Sequence, residues 1–426
     1  MSLRAALAAA AGGALVLAAG LAGTANAEAV CSHDLRVLAQ PRDGLTLLEK
    51  YKDELKGLSG ASFNIDYLNE NDRRAKSRAD ASTVGKYNVY YIDEANVALF
   101  AKSNWVTSLL DYYPKEYDFT DFDPGRQKVA TFEDKVYFAP LTGGGDDLLV
   151  YRKDLLEKAG VKVPTTLDEM IVAVQKLHDP DHGVYGIALR GQRGSGANVW
   201  RWMPYFRGFG GKWFGGDTLA FDGEPAVKAT QTYLDLFKYS PPGTKTGSWD
   251  ESTGAFLSGQ VALLVESTPL SGEAIDPKVS KVVGKVGYAR PPSPLTGGGY
   301  AHGLAIGAKA NKDDAAKKCA GLFIAWATSK ENEKRRLDDG QFGELNRTSI
   351  MTSDEFNQKF GADLGQALAD TAKVTAVNFW QDPEWPNLGD HWGIELEELI
   401  TGTRTDIKGS LDELNTYAKG LVANRK

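Results

Sequence analysis

The sequence predicts an α/β protein of two domains carried behind an export leader. Three observations predict it. Beyond the leader the chain still has about 400 residues, enough for two cores of ordinary domain size. Its first part alternates short apolar strands with helices, the rhythm of a parallel sheet whose strand ends face any ligand. At Thr142-Gly143-Gly144-Gly145-Asp146-Asp147 that rhythm changes and helices begin to dominate.

The leader occupies residues 1–27. It has a short positive start with Arg4, an Ala/Leu-rich run from Ala5 to Gly20, and Ala25-Asn26-Ala27 as an A-x-A cleavage site before Glu28. The apolar run is too short and alanine-rich for a membrane span. Losing the leader removes Arg4 and no acid, so the net charge moves from −7 to −8. That acidity argues against nucleic acid or anionic lipid as a partner.

The mature chain holds two cysteines, Cys31 and Cys319, so a disulfide scaffold is excluded. Lipid modification of Cys31 is rejected, because Glu28-Ala29-Val30 puts a charge where an aliphatic residue is wanted. A Cys31–Cys319 bridge and two separate thiols both stay open.

Leu35–Ala39 reads as the first strand, followed by a helix over about 45–56 with Leu47, Leu48, Tyr51 and Leu55 on one face. Ala61–Leu68 is a second strand, 72–82 a basic helix, and Tyr87–Ile92 a third strand with Asp93 at its end. Beyond the glycine cluster come a strand at 148–151, helices at 153–159, 166–177, 198–209, 225–239 and 251–258, and strands at 185–189, 261–266 and 285–288. A second glycine cluster, Gly297-Gly298-Gly299, precedes a strand at 304–308, and Asp313–Ser329 is an amphipathic helix. Helices at 390–401 and 410–422 close the chain. The two glycine clusters are the best candidates for crossings between domains.

Catalytic motifs are missing. No G-x-S-x-G, H-E-x-x-H, phosphate-loop or C-x-x-C pattern occurs. His178 and His182 are four apart, but Pro180 between them makes a turn the better reading, and no metal or cofactor is expected. Glu395, Glu397 and Glu398 read as a solvated helix face rather than a hydrolytic pair. The aromatics are more telling. Trp200, Trp202, Tyr205 and Phe206 follow an arginine- and glycine-rich loop, and Trp380, Trp385 and Trp392 crowd a polar stretch. Sugar C–H faces pack on such rings while Asp, Asn, Gln and Arg hold the hydroxyls, so Trp200 or Trp380 is a candidate platform.

The run Tyr151–Gly160 (YRKDLLEKAG), followed by Val163-Pro164-Thr165-Thr166-Leu167-Asp168-Glu169, resembles the family 1 extracellular solute-binding proteins. These are the maltose-binding-protein-like receptors of carbohydrate ABC importers. The resemblance continues in order through Tyr185–Gly191, Phe209–Gly211, Ser258–Leu263, Ala325–Lys330 and Asn346–Ser349. It implies a periplasmic binding protein type II fold, two lobes with a hinge and an interlobe ligand cleft. The implied lobes are 28–145 with 303–347, and 146–302 with 348–426.

By the same resemblance, Gln40, Arg42, Asn71 and Asp93 would line the cleft from the first lobe. Gly144, Asn198, Trp200 and Ser267 would line it from the second, with Tyr300, His302 and Arg347 near the crossings. The implied ligand is a sugar, polyol or small glycoside, and the implied partners are that ligand and a membrane permease, with a monomeric receptor in the periplasm. Arg42, Arg193, Arg201 and Arg347 leave room for an acidic sugar. A glycoside-acting enzyme and an aromatic scaffold are the competing classes.

Overall fold

A computed structural model of the chain describes residues 30–423 apart from 146, 195, 216–217, 220, 222, 299 and 341–344. The expected leader lies outside the described residues. No helix among those described is long and apolar enough to cross a membrane.

The first lobe is built on β1 (Leu35–Ala39), β2 (Phe63–Tyr67), helix α1 (Glu70–Ser82), β3 (Val89–Asp93) and β4 (Ala139–Gly145). Val37, Leu38 and Ala39 are wholly buried, as befits a strand covered on both faces. β1 pairs in parallel with β2 and β3, placing Val37 beside Ile65 and Val89. The expected single helix over 45–56 is two, Asp43–Glu49 and Lys52–Ser59. The break lies at Lys50-Tyr51 and lets Leu48 and Leu55 both reach the core while the Tyr51 ring lies 4.0 Å from the Arg335 guanidinium. The basic helix starts earlier than expected, because the Asn69 side chain caps it by accepting from the Asp72 amide.

The second lobe is built on β5 (Asp147–Arg152), β6 (Tyr185–Ile187), helix α2 (Asn198–Gly208), β7 (Val261–Ser267) and β8 (Val286–Ala289). Its sheet runs β8-β5-β7-β6, with β7 parallel to β6 and antiparallel to β5. All seven residues of β7 are buried.

The chain changes sheet at both glycine clusters. β4 ends the first passage at Gly145, and β5 begins in the other sheet at Asp147. Later, β9 (Gly297–Gly298) leads into β10 (Tyr300–Ile306), which inserts between β3 and β4 and pairs antiparallel with both. Helix α3 (Asp314–Ala327) then packs on the first core, whereas Leu345, Phe356, Phe360 and Leu364 pack on the second. β11 (Thr375–Ala376) pairs with β9, and helix α4 (Trp385–Thr401) completes the site.

Cys31 and Cys319 are joined by a disulfide that ties the segment before β1 to α3 across 288 positions. The reading of the acidic run on α4 as a solvated face is corrected. Glu395 is buried and lies 2.7 Å from Arg404, because the chain after α4 folds back over it, and burial raises its carboxyl despite that guanidinium. Glu397 pairs with Arg193. The turn at His178–His182 holds: Pro180–His182 is a single short turn in which His182 bonds Asp179 at 2.7 Å.

Candidate functional site

A cleft of about 1070 Å³ opens between the two sheets. One wall comes from the ends of β1 and β3, from α1 and from His302. The other comes from the loop 190–197, Trp200, Trp249 and the end of β7, and Asp390 of α4 closes one side.

The first wall is organised by Asp93, the last residue of β3. Register places His302 opposite it on β10, and helix α1 brings two arginines over it. Oδ1 accepts from Arg73 Nη2 at 2.5 Å and His302 Nε2 at 2.9 Å, and Oδ2 accepts from Arg74 Nε at 2.7 Å and Asn96 Nδ2 at 3.2 Å. Burial alone would raise the Asp93 carboxyl, but Arg73 and Arg74, with His302, hold it well below the usual carboxylate range. The same burial lowers the His302 imidazole below its ordinary value, with Asp93 opposing. A neutral ring bonded through Nε2 to an ionised carboxylate must carry its proton on Nε2. Glu94, buried next door, is pushed well up by burial and by the Asp93 charge.

A carboxylate offers about four acceptor positions, and all four on Asp93 are taken. Asp93 thus holds Arg74 and His302 at the cleft, whose lining it shares. Arg74 is the residue that sequence reasoning passed over. It is also bound to Glu70 at 2.5 Å and lies against the other wall, with Nη1 and Nη2 each 2.7 Å from where a Cβ on Gly196 would stand. The only cue in the sequence was a basic helix following the second strand.

The second wall rests on a buried chain of ion pairs. Arg190 grips Glu266 at 2.8 and 2.6 Å and lies 5.1 Å from the Trp249 ring centre. Arg201 bonds Asp147 at 2.6 Å and Glu266 at 3.0 Å. Burial would raise the Glu266 carboxyl, but the two arginines bring it below its ordinary value. For Asp147 burial prevails and the carboxyl rises. The backbone amide and hydroxyl of Ser267 both donate to Glu266 Oε1, at 2.7 and 3.1 Å.

Of the candidates from sequence, Gln40, Arg42, Asp93, Trp200, Ser267 and His302 line this cleft. Gln40 is buried and accepts from Arg73 at 3.1 Å. Gly144 sits in β4, in the segment that crosses between sheets. Asn71 lies in α1 and Tyr300 opens β10, but their side chains lie outside the described residues.

Three candidates are elsewhere. Asn198 donates from Nδ2 to the carbonyls of Gly191 and Gly393, at 3.2 and 2.8 Å, and so pins a loop to α4. Arg347 donates to the carbonyls of Thr328 and Asp118 and stacks 4.4 Å from the Phe122 ring centre, a buried bracket within the first lobe. Trp380 packs 4.5 Å from Phe214 in a separate groove of about 870 Å³ with Lys128, Arg207 and Lys212. Among the described residues no cluster of three His, Cys, Asp or Glu could hold a metal ion.

Comparison with known proteins agrees with this architecture. Over 280 residues the chain is 30% identical to a mannitol-binding protein of Pseudomonas aeruginosa, a span of 64% of this chain and 63% of that one, somewhat under two thirds of the relative's length. A solute-binding protein of Agrobacterium radiobacter solved with ribitol superposes with a TM-score of 0.83 at 27% identity, covering 92% of this chain and 100% of that one. One from Agrobacterium vitis with D-mannitol gives 0.80 at 27% identity, covering 92% and 99%. The model of bacterial extracellular solute-binding proteins matches residues 61–334, about two thirds of the sequence, and to that family this chain belongs.

Proposed function

We propose that this protein is the exported binding subunit of an ABC importer, capturing a neutral polyol or sugar between its lobes and presenting it to a membrane permease. The observation that carries the reading is the charge balance of the cleft. Three of the five arginines that line it are engaged by the protein's own acids, Arg74 by Asp93 and Glu70, Arg190 by Glu266 and Arg193 by Glu397, and Arg78 bonds the Asn96 side chain at 3.1 Å. Such paired groups orient hydrogen bonds toward hydroxyls without requiring a charged partner. Relatives named for mannitol, and structures holding ribitol and mannitol, support the same class.

An acidic sugar is less well served. Of the four arginines that left room for one, Arg193 and Arg201 are paired with acids, Arg347 lies outside the cleft, and Arg42 lines it. In this proposal the lobes are 28–145 with 303–347 and 146–302 with 348–426, the glycine-rich crossings form the hinge, and the receptor acts as a periplasmic monomer without catalytic chemistry of its own.

The test is a thermal-shift screen of the mature protein, unfolded and refolded to strip any carried ligand. A ligand bound only by the native state raises the melting temperature by mass action, by an amount set by about RT ln(1 + [L]/Kd). A shift with one or more polyols or sugars is expected. No shift across polyols, sugars and small glycosides in refolded protein would sink the proposal.

A further inference from the structure

The groove around Trp380 differs from the interlobe cleft in its charge. Its lining includes three cations, Lys128, Arg207 and Lys212, and no acid. In a chain with 56 acids against 49 lysines and arginines, an unselected patch would carry at least as many acids.

Arg207 is the most telling of the three. It is partly buried, and among the described residues it donates from Nη1 to the Gly211 carbonyl at 2.9 Å while its buried Nε has no partner. Burial alone acts on this guanidinium and lowers its pKa, with no carboxylate to offset the lost water. Arg73, Arg74, Arg190 and Arg201 are buried too, but each has a carboxylate partner. A cation drawn out of water is stable when paired, and here the missing member is an anion.

The remaining lining describes the body that such an anion would carry. The rings of Phe214 and Trp380 meet with centres 4.5 Å apart, and Phe379 stands in the same lining. Trp213 fixes this wall by donating from Nε1 to the Asn378 carbonyl at 2.6 Å. Thr375 and Gln381 are the uncharged hydrogen-bonding side chains of the lining, too few to replace the water around a sugar. Aromatic walls favour a flat apolar ring, and about 870 Å³ is the size of a site for an organic molecule, well beyond the needs of an inorganic ion. The cations come from both lobes. Lys128 lies on a short helix of the first, Pro124–Val129, and Arg207 near the end of α2 in the second.

We propose that this groove is a second binding site, for a small aromatic anion held by Lys128, Arg207 and Lys212. The inference goes beyond the importer reading and does not depend on it.

The experiment is calorimetric titration of the mature protein with 2-naphthoate, its neutral analogue 2-naphthamide and inorganic phosphate, at low and high salt. Wild type should bind naphthoate about tenfold or more tightly than the amide or phosphate, and less tightly as salt rises. Lys128 and Lys212 are exposed, so Lys128→Glu and Lys212→Glu should melt within about 2 °C of wild type. Each should weaken naphthoate binding about tenfold, because an attraction becomes a repulsion. Unchanged naphthoate affinity in both folded variants would place the probe elsewhere and overturn the proposal. Equal affinity for the amide would make the groove merely apolar and overturn it as well. Failure to bind naphthoate, with or without binding to phosphatidylglycerol vesicles, also overturns it, and vesicle binding lost in the variants would assign the three cations to a lipid surface instead.

Discussion

The two walls of the cleft solve the same problem in opposite ways. Each buries a cluster of carboxylates and guanidiniums at the end of a strand. On the first wall every acceptor of Asp93 is used by Arg73, Arg74, His302 and Asn96. On the second wall Asp147, Arg201 and Tyr205 keep atoms in reserve. A saturated network is rigid and aims its outermost member, here Arg74. An unsaturated one leaves buried polar atoms unpaired, which costs stability. The lesson is that a buried carboxylate's role is read from its unused acceptors, not from its position at a strand end.

The contrast can be broken most severely at Asp93. Asp93→Ala leaves Arg73 buried at 1% exposure without its carboxylate, and the stability to urea should fall by about 3–5 kcal/mol. Asp147→Asn should cost less stability in the same titration, because one of its oxygens is already unpaired. Replacing both Cys31 and Cys319 by Ser releases a loop of 288 positions and should lower stability by about 2–5 kcal/mol, read by the same denaturation, with ligand affinity nearly unchanged.

Gly196→Val would place side-chain atoms against the Arg74 guanidinium, which Asp93 and Glu70 hold in place. Ligand affinity should drop about tenfold by calorimetry, while ligand-free stability changes by less than about 1 kcal/mol.

The finest probe is pH. Asp93 has a lowered pKa when folded, so its stabilisation is present above the unfolded value of about 3.9 and is lost as pH falls toward its folded value. His302, also lowered, adds stability above about 6.5 and loses it on acidification through its folded value. Glu94 has a raised pKa and behaves in the reverse sense: its contribution is present below about 4.3 and is lost as pH rises through the folded value. Glu94→Gln should therefore gain stability relative to wild type on going from pH 4 to pH 8, by about 1 kcal/mol or more, in urea titrations at the two pH values. An unchanged difference would mean that Glu94 is not held protonated beside Asp93.

Much of the fold was legible because strand periodicity and glycine chemistry are local. The parallel opening, the sheet changes at 145–147 and 298–300, and the helix at 153–159 all follow from short stretches of sequence. The site was legible only in part. Trp200, Ser267 and His302 stand where the family pattern implied, but Arg74 acts through an acid 19 positions away, and no local pattern reveals such a pair. Arg347 lies outside the cleft for the same reason, bonded to the distant carbonyls of Thr328 and Asp118 and to the Asp121 carboxylate. Trp380 shows that a tryptophan in a polar stretch can belong to a different groove.

The position of β10 has a consequence for how the chain comes together as it folds. The sheet containing the first strands cannot close until residues 300–306 arrive, and Cys31 waits for Cys319. The other sheet draws all four strands from the continuous stretch 147–289. Contacts of such long sequence separation form slowly. The half that emerges first is therefore expected to finish last, and until then the exposed edges of β3 and β4 are what a protecting chaperone would have to cover.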